Sequence, residues 1–146
     1  MELQYEPARE ADADIIFKQC KVLVDTYETV SDIDYHSVLA WILKKIRENV
    51  CSYTRVIQDG RTVGYYFLRE VGEKLELDDF YVLEEYRRKG IGSAVLRDCL
   101  QSVHQPVYLY VFVKNTGAIR LYHRFGFRKI KDVGFTRWIM EWDPDK

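Results

Sequence analysis

The stretch "KLELDDFYVLEEYRRKGIGSAVLRDCLQSVHQPVYLYVFV", residues 74–113, runs from a two-residue alternation through a glycine turn and a helical stripe into a second apolar strand. In "LELDDFYV" side chains alternate between faces, so Glu76 and Asp78 share one face and Asp79 takes the other unless a bulge intervenes. Gly90 opens a helix with Ile91, Ala94, Val95, Cys99 and Val103 on one side, and Pro106 separates that helix from "VYLYVFV". This last run has no polar face, which predicts a central strand covered on both sides. Two strands joined through a helix form a crossover, so the strands at 74–83 and 107–113 should run parallel.

Working outward, a short strand is expected at 3–6, followed by a helix from about 11 to 27 with Ile16, Cys20, Leu23, Val24 and Tyr27 on its apolar stripe. A second helix at 34–50 places Tyr35, Val38, Leu39, Ile42, Leu43 and Ile46 together, with Ser31, Asp32 or Asp34 available as its cap. Asp59 and Gly60 tolerate the positive φ of a tight hairpin turn between two β-rich runs, and Gly72 turns the chain into residues 74–83. Beyond 113, Ala118, Leu121, Tyr122 and Phe125 have helical spacing, with Gly126 as the stop. Two strands turning near 132–134 end the chain. The order is β-α-α-β-β-β-α-β-α-β-β, a mixed α/β (α+β) arrangement with one parallel pair.

With 146 residues, 47% of them hydrophobic, the chain can bury one sizeable core, and residues 1–146 read as a single domain. A net charge of -1 provides no global attraction for nucleic acid or anionic membranes. The beginning of the chain lacks a basic segment followed by an apolar one, and no run approaches a membrane span, so a cytoplasmic location is expected. Cys20, Cys51 and Cys99 have no CxxC spacing, and His36, His104 and His123 lack metal-ligand spacing. Reduced cysteines and no metal site are therefore expected, with Cys20 and Cys99 packing on apolar stripes.

The local exception to neutrality is "RRKGIGS", residues 87–93. A glycine turn entering a helix presents unpaired N–H groups at the positive end of the helix dipole, and Arg87, Arg88 and Lys89 precede it. This chemistry suits a pyrophosphate, although a solvated turn has the same composition and the pattern arises by chance in roughly one chain in ten. A Walker loop would need its lysine after the glycines, and a dinucleotide fingerprint would need glycine where Val95 stands.

Residues 87–92 match the RxxGxG/A signature of the GNAT superfamily of acyl-CoA dependent N-acyltransferases. Asn115, Ala118, Tyr122, Gly126 and Phe127 reproduce a second pattern of that family, NxxAxxxYxxxGF, expected by chance in about a few in a hundred thousand chains. The chain therefore resembles a GNAT domain over essentially its whole length, most strongly at 75–127 and weakly before Tyr53. One departure is Glu84, which replaces the usual proline after the strand. The resemblance implies a mixed, mostly antiparallel sheet whose fourth and fifth strands are parallel and splayed. It also implies an N-acetyltransferase that moves acetyl from acetyl-CoA to a primary amine by direct attack in a ternary complex.

Under the resemblance, Arg87, Arg88, Lys89, Gly90, Ile91, Gly92 and Ser93 bind the coenzyme pyrophosphate. Backbone N–H groups of Phe80, Tyr81 and Val82 stabilise the oxyanion. Tyr122 also contacts the coenzyme and protonates the leaving thiolate, since a phenol keeps its proton at neutral pH. Asn115 positions the pantetheine arm or caps the next helix. Glu76 or Asp78 is the expected base that neutralises the amine, directly or through water, because burial and like charge raise a carboxylate's pKa. Tyr35, Trp41, Tyr65, Tyr66 and Trp138 are candidates to line an acceptor cleft, favouring a small cationic or aromatic amine, or to pack as core. An acyl-CoA sensor without catalysis and acetylation of a peptide or protein amine stand as alternatives. No nucleic-acid or membrane partner is expected, and the protein is expected to be a monomer or homodimer.

Overall fold

A computed structural model describes residues 1–146. In chain order the elements are β1 (Gln4–Pro7), α1 (Ala13–Tyr27), α2 (Tyr35–Asn49), β2 (Thr54–Gln58), β3 (Arg61–Val71), β4 (Lys74–Val82), α3 (Ile91–Gln101), β5 (Val107–Phe112), α4 (Thr116–Arg124), β6 (Arg128–Val133) and β7 (Arg137–Trp142). This is the expected order. The seven strands form one sheet, β1-β2-β3-β4-β5-β7-β6, antiparallel except between β4 and β5.

Each helix begins where local chemistry permits it. Of the three candidate caps for α2, Asp34 serves, accepting from the Ser37 N–H at 3.3 Å. The first helix starts at Ala13, later than the pattern suggests, because a 3-10 turn at Glu10–Asp12 precedes it. Val103 lies beyond the end of α3 at Gln101. The buried stripe of α1 is Ala13, Ile16, Cys20 and Val24, and it packs with Ile42 and Ile46 of α2 against Tyr65, Phe67 and Tyr81 on the front of the sheet. On the back, Leu96 and Leu100 of α3 and Ile119 and Tyr122 of α4 cover Leu75, Leu77, Leu109 and Met140. Each fully buried large apolar side chain contributes roughly 1.5–3 kcal/mol to holding these layers together.

One expectation fails on β5. Val107, Leu109 and Val111 are buried on the back, but Tyr110 on the front is 45% exposed. The front core formed by α1 and α2 is built on β3 and β4 and contains no buried β5 residue, so this strand, aliphatic on the back and aromatic on the front, is fully covered only on the back.

The parallel pairing is also short. β4 and β5 are in register only at Leu75↔Val107 and Glu76↔Tyr108, and the strands then separate. Past this point the β4 edge facing β5 has no ladder partner, and a cleft opens in the middle of the sheet.

Candidate active site

The cleft widens into a cavity of about 1420 Å³ bounded by α1, α2, β4, β5, the loop before α3, and α4. Three groups of residues predicted from sequence meet in it: the β4 carboxylates, the glycine loop and Tyr122.

The glycine loop forms as its sequence requires. Gly90 has φ of 81° and serves as the cap of α3, with no side chain bonding to the first-turn N–H groups. Those donors, on Ile91, Gly92 and Ser93, border the cavity at the positive end of the helix. The three preceding cations are not equivalent. Arg87 donates from Nε to the Val82 carbonyl at 2.8 Å and so ties the loop to the end of β4. Arg88, at φ 64°, borders the cavity. Lys89 does not: its ammonium lies 5.8 Å from the Tyr86 ring centroid, outside the cavity wall. A cation missed from sequence, Arg124 of α4, also borders the cavity and donates to Ser93 Oγ at 3.0 Å. No spacing rule links Arg124 to a loop thirty-one residues away.

Strand β4 departs from simple alternation. Phe67 faces Asp78 and Tyr65 faces Tyr81, so Tyr66 alone stands opposite Asp79 and Phe80 in a bulge, with Asp79 at φ 47°. The bulge is the exception allowed for in the alternation, and it brings Asp79 to the same side as Asp78. Both carboxylates reach Lys45 of α2, Asp78 at 3.0 Å and Asp79 at 2.8 Å. It also puts Tyr81 on the front beneath α1 and turns Phe80 and Val82 to the back, near Gly92.

The acids have distinct environments. Burial, together with the charge of Asp79, pushes the Asp78 carboxyl up to about 6 despite Lys45. Burial also opposes the Asp79 charge, but Lys45 and the hydroxyls of Tyr53 and Tyr81 outweigh it and hold its pKa below the ordinary value. Lys45 stays protonated, because the two carboxylates overcome the burial of its ammonium. Glu76, 6% exposed, accepts from Arg69 at 2.8 Å and from the Tyr108 hydroxyl at 3.2 Å.

Tyr122 is 8% exposed, packs on Phe127, and its hydroxyl has no hydrogen-bond partner within the chain. Burial pushes its pKa up, so it carries its proton throughout the neutral range. Asn115 borders the cavity and caps α4, its Oδ1 accepting from the Ala118 N–H at 3.3 Å. The Cys20 thiol lies 3.0 Å from the Tyr81 hydroxyl and 3.4 Å from Asp79, and burial pushes its pKa up, away from a nucleophilic thiolate.

Of the five aromatics proposed for an acceptor cleft, only Trp41 borders the cavity. Tyr65 is fully buried with its hydroxyl on Asp12, Tyr66 packs edge-on to Tyr5, Trp138 joins the back core, and Tyr35 bonds to Asp25. The aromatics that do line the open end are Tyr27, Tyr110 and Phe112, brought together by the splay and the uncovered front of β5. An uncapped helix start, unpaired strand edge, raised carboxyl and protonated phenol in one cavity can bind a pyrophosphate, stabilise an oxyanion and move two protons.

Comparison with known proteins agrees with this geometry. Residues 17–127 match the model of the acetyltransferase (GNAT) family. An N-alpha-acetyltransferase of Sulfurisphaera tokodaii is 32% identical over 108 residues, 62% of this chain and 65% of that protein. A spermine/spermidine N(1)-acetyltransferase of Bacillus subtilis is 40% identical over 64 residues, 40% of this chain and 42% of that protein. The chain thus spans less than two thirds of these curated relatives. The crystal structure of PaiA N-acetyltransferase from Thermoplasma acidophilum in complex with coenzyme A superposes with a TM-score of 0.72 at 19% identity, covering 98% of this chain and 99% of that one. With more than half its length matched by the family model and the splayed sheet in place, this chain belongs to the acetyltransferase (GNAT) family.

Proposed function

We propose that the protein transfers an acetyl group from acetyl-CoA to a primary amine within a ternary complex. The observation that carries this reading is that one cavity is bordered by the uncapped start of α3, by Asp78 and by Tyr122. Bound acetyl-CoA supplies the thioester and the acceptor supplies the amine; the groups that bind them and move protons are in the chain. The N–H groups of residues 91–93, with Arg88 and Arg124, hold the pyrophosphate, and Arg87 keeps the loop attached to β4. The side-chain nitrogen of Asn115 is left to reach the pantetheine arm while its oxygen caps α4.

In this reading Asp78 is the base, because its carboxyl is raised into the range where it can accept a proton from an ammonium, directly or through water. Glu76 is engaged by Arg69 and Tyr108 and orders the strand edge. The N–H groups of residues 80–82 face the developing oxyanion, and Tyr122 donates to the departing sulfur. The bulge at Asp79 orients the parts that β4 contributes, residues 78–82, and α4 brings Tyr122 to the same cavity.

The acceptor in this reading is a small amine with an aromatic or apolar body, which the Tyr27, Trp41, Tyr110 and Phe112 wall favours. A peptide amine is the second reading, favoured by the similarity to an archaeal N-alpha-acetyltransferase. Release of coenzyme A thiol is followed across polyamines, amino sugars, aminoacyl compounds and short peptides. Turnover is expected with at least one class; coenzyme binding with no acetylated acceptor at high enzyme concentration would leave a sensor and sink the enzyme reading.

A further inference from the structure

The three carboxylates at the floor of the cavity are already engaged by two cations. Lys45 bridges Asp78 and Asp79, and Arg69 holds Glu76. The open end of the cavity, however, contains a cation with no such partner. Arg137, at the start of β7, makes no salt bridge and no side-chain hydrogen bond, and its Nε is buried with no acceptor. The other buried unbonded nitrogen, Arg55 Nε, belongs to a guanidinium whose remaining nitrogens bond Thr62 and Glu6. For Arg137 the whole fork is unused. The Nη groups are not enclosed in this way and also have no acceptor, so they are the donors that a ligand in the cavity would reach.

Its placement determines what the ligand is. Arg137 is the register partner of Phe112, and cross-strand partners share a face, so it lies on the same front surface as Phe112 and Tyr110. Its guanidinium carbon is 5.5 Å from the Tyr110 ring centroid, an arrangement that pre-orders the fork and leaves its edge available. Phe112 in turn packs on Tyr27 of α1 at 5.9 Å, which puts this group on the acceptor side of the splay, away from the α3 start. A planar fork stacked on an aromatic ring is suited to a carboxylate.

We propose that Arg137 and Tyr110 form an anion subsite that makes the preferred acceptor an amine bearing a carboxylate. This deepens the acetyl-transfer reading and rests on it. Arg137 stands on the second strand from β4, and because β4 and β5 part beyond Glu76↔Tyr108 the gap exceeds the roughly 10 Å of two ordinary strand spacings. The amine at Asp78 and the carboxylate at Arg137 are therefore separated by several bonds, as in an ω-amino acid or a dipeptide. The internal cations fit the same picture: with Lys45 and Arg69 offsetting most of the charge of the floor, the site does not select its acceptor by positive charge alone.

The test uses matched acceptors, 4-aminobutyrate, 6-aminohexanoate and glycylglycine, each beside its carboxamide. The wild-type protein is expected to favour the carboxylate of at least one pair by about tenfold or more in kcat/KM, mainly through KM. In Arg137→Gln that ratio falls to near one, and in Arg137→Lys it is partly restored. A wild-type ratio near one for every pair, or a ratio unchanged in Arg137→Gln, overturns the subsite. Should no amine be acetylated, the acetyl-transfer reading fails separately. The subsite is then judged by calorimetric binding of the same pairs to the coenzyme A-loaded protein. Tighter carboxylate binding that Arg137→Gln abolishes upholds it, and equal binding of both members overturns it. Circular dichroism melts of both variants check that they are folded.

Discussion

At the scale of the residue, Asp78 and Tyr122 are matched opposites, one raised enough to gain a proton near neutrality and the other unable to lose its own. In the proposed reading Asp78 is the base and must be ionised to act, so kcat/KM should rise with pH through about 6. Removing the neighbouring cation in Lys45→Met should move that limb to higher pH, because the ammonium is what opposes burial and the Asp79 charge. A pH–rate profile checks both, and an unmoved limb would separate Lys45 from the titration. Asp78→Asn should lower kcat by about 10²-fold or more. Its effect on stability runs the other way. With its folded pKa above the unfolded value, Asp78 favours the fold only at low pH, and that contribution is lost as pH rises toward about 6. The Asn variant should therefore melt no lower than wild type at pH 7, while Lys45 still has Asp79 as a partner. Tyr122→Phe should reduce kcat by roughly 10²-fold with coenzyme affinity changed far less, and an undiminished rate would remove Tyr122 from proton transfer.

At the scale of the element, what could be read in advance was whatever a period or a turn residue dictates. The α3 helix with its Gly90 start, the Asn115 to Phe127 pattern and the hairpin at Asp59 and Gly60 are local events, and all three form. The bulge is not local: nothing in "LELDDFYV" indicates that Asp79 will take a positive φ, since this depends on the strand facing it. Gly64 illustrates that dependence. A Cβ there would come within 2.3 Å of the Tyr81 carbonyl oxygen, so β3 and β4 approach this closely only because residue 64 is glycine. Gly64→Ala should cost about 1–3 kcal/mol or more and shift residues 80–82, lowering kcat beyond what the lost stability explains. Measured below the melting transition, full activity in a destabilised Gly64→Ala would show that the oxyanion edge does not depend on this contact. The same non-locality concealed Lys45, which looks like one polar residue beside the Ile42 and Ile46 stripe until α2 is laid over β4.

At the scale of the molecule, the order of elements and the parallel crossover followed from sequence because each depends on neighbours along the chain, whereas the aromatic wall depends on which sheet face the helices leave bare. Tyr65 and Tyr110 have the same side chain and both lie on strands. One disappears under α1 and α2, and the other stands in the cleft because the buried front core stops at β4. This uneven cover gives the protein a cavity that runs from a basic end at the α3 start to an aromatic end at β5, in a chain whose net charge is only -1. In the proposed reading, attraction for the coenzyme is therefore carried by the α3 start with Arg88 and Arg124, and not by the field of the whole molecule. Coenzyme A at about 100 times its dissociation constant should stabilise the fold by roughly 2.7 kcal/mol, a rise in Tm of several degrees. Arg88→Gln combined with Arg124→Gln should remove most of that rise at equal ligand concentration and flatten its dependence on salt, since the lost contacts are the screened ones. A double variant that keeps the full thermal shift and its salt dependence would mean that the pyrophosphate is held by the backbone of residues 91–93 alone.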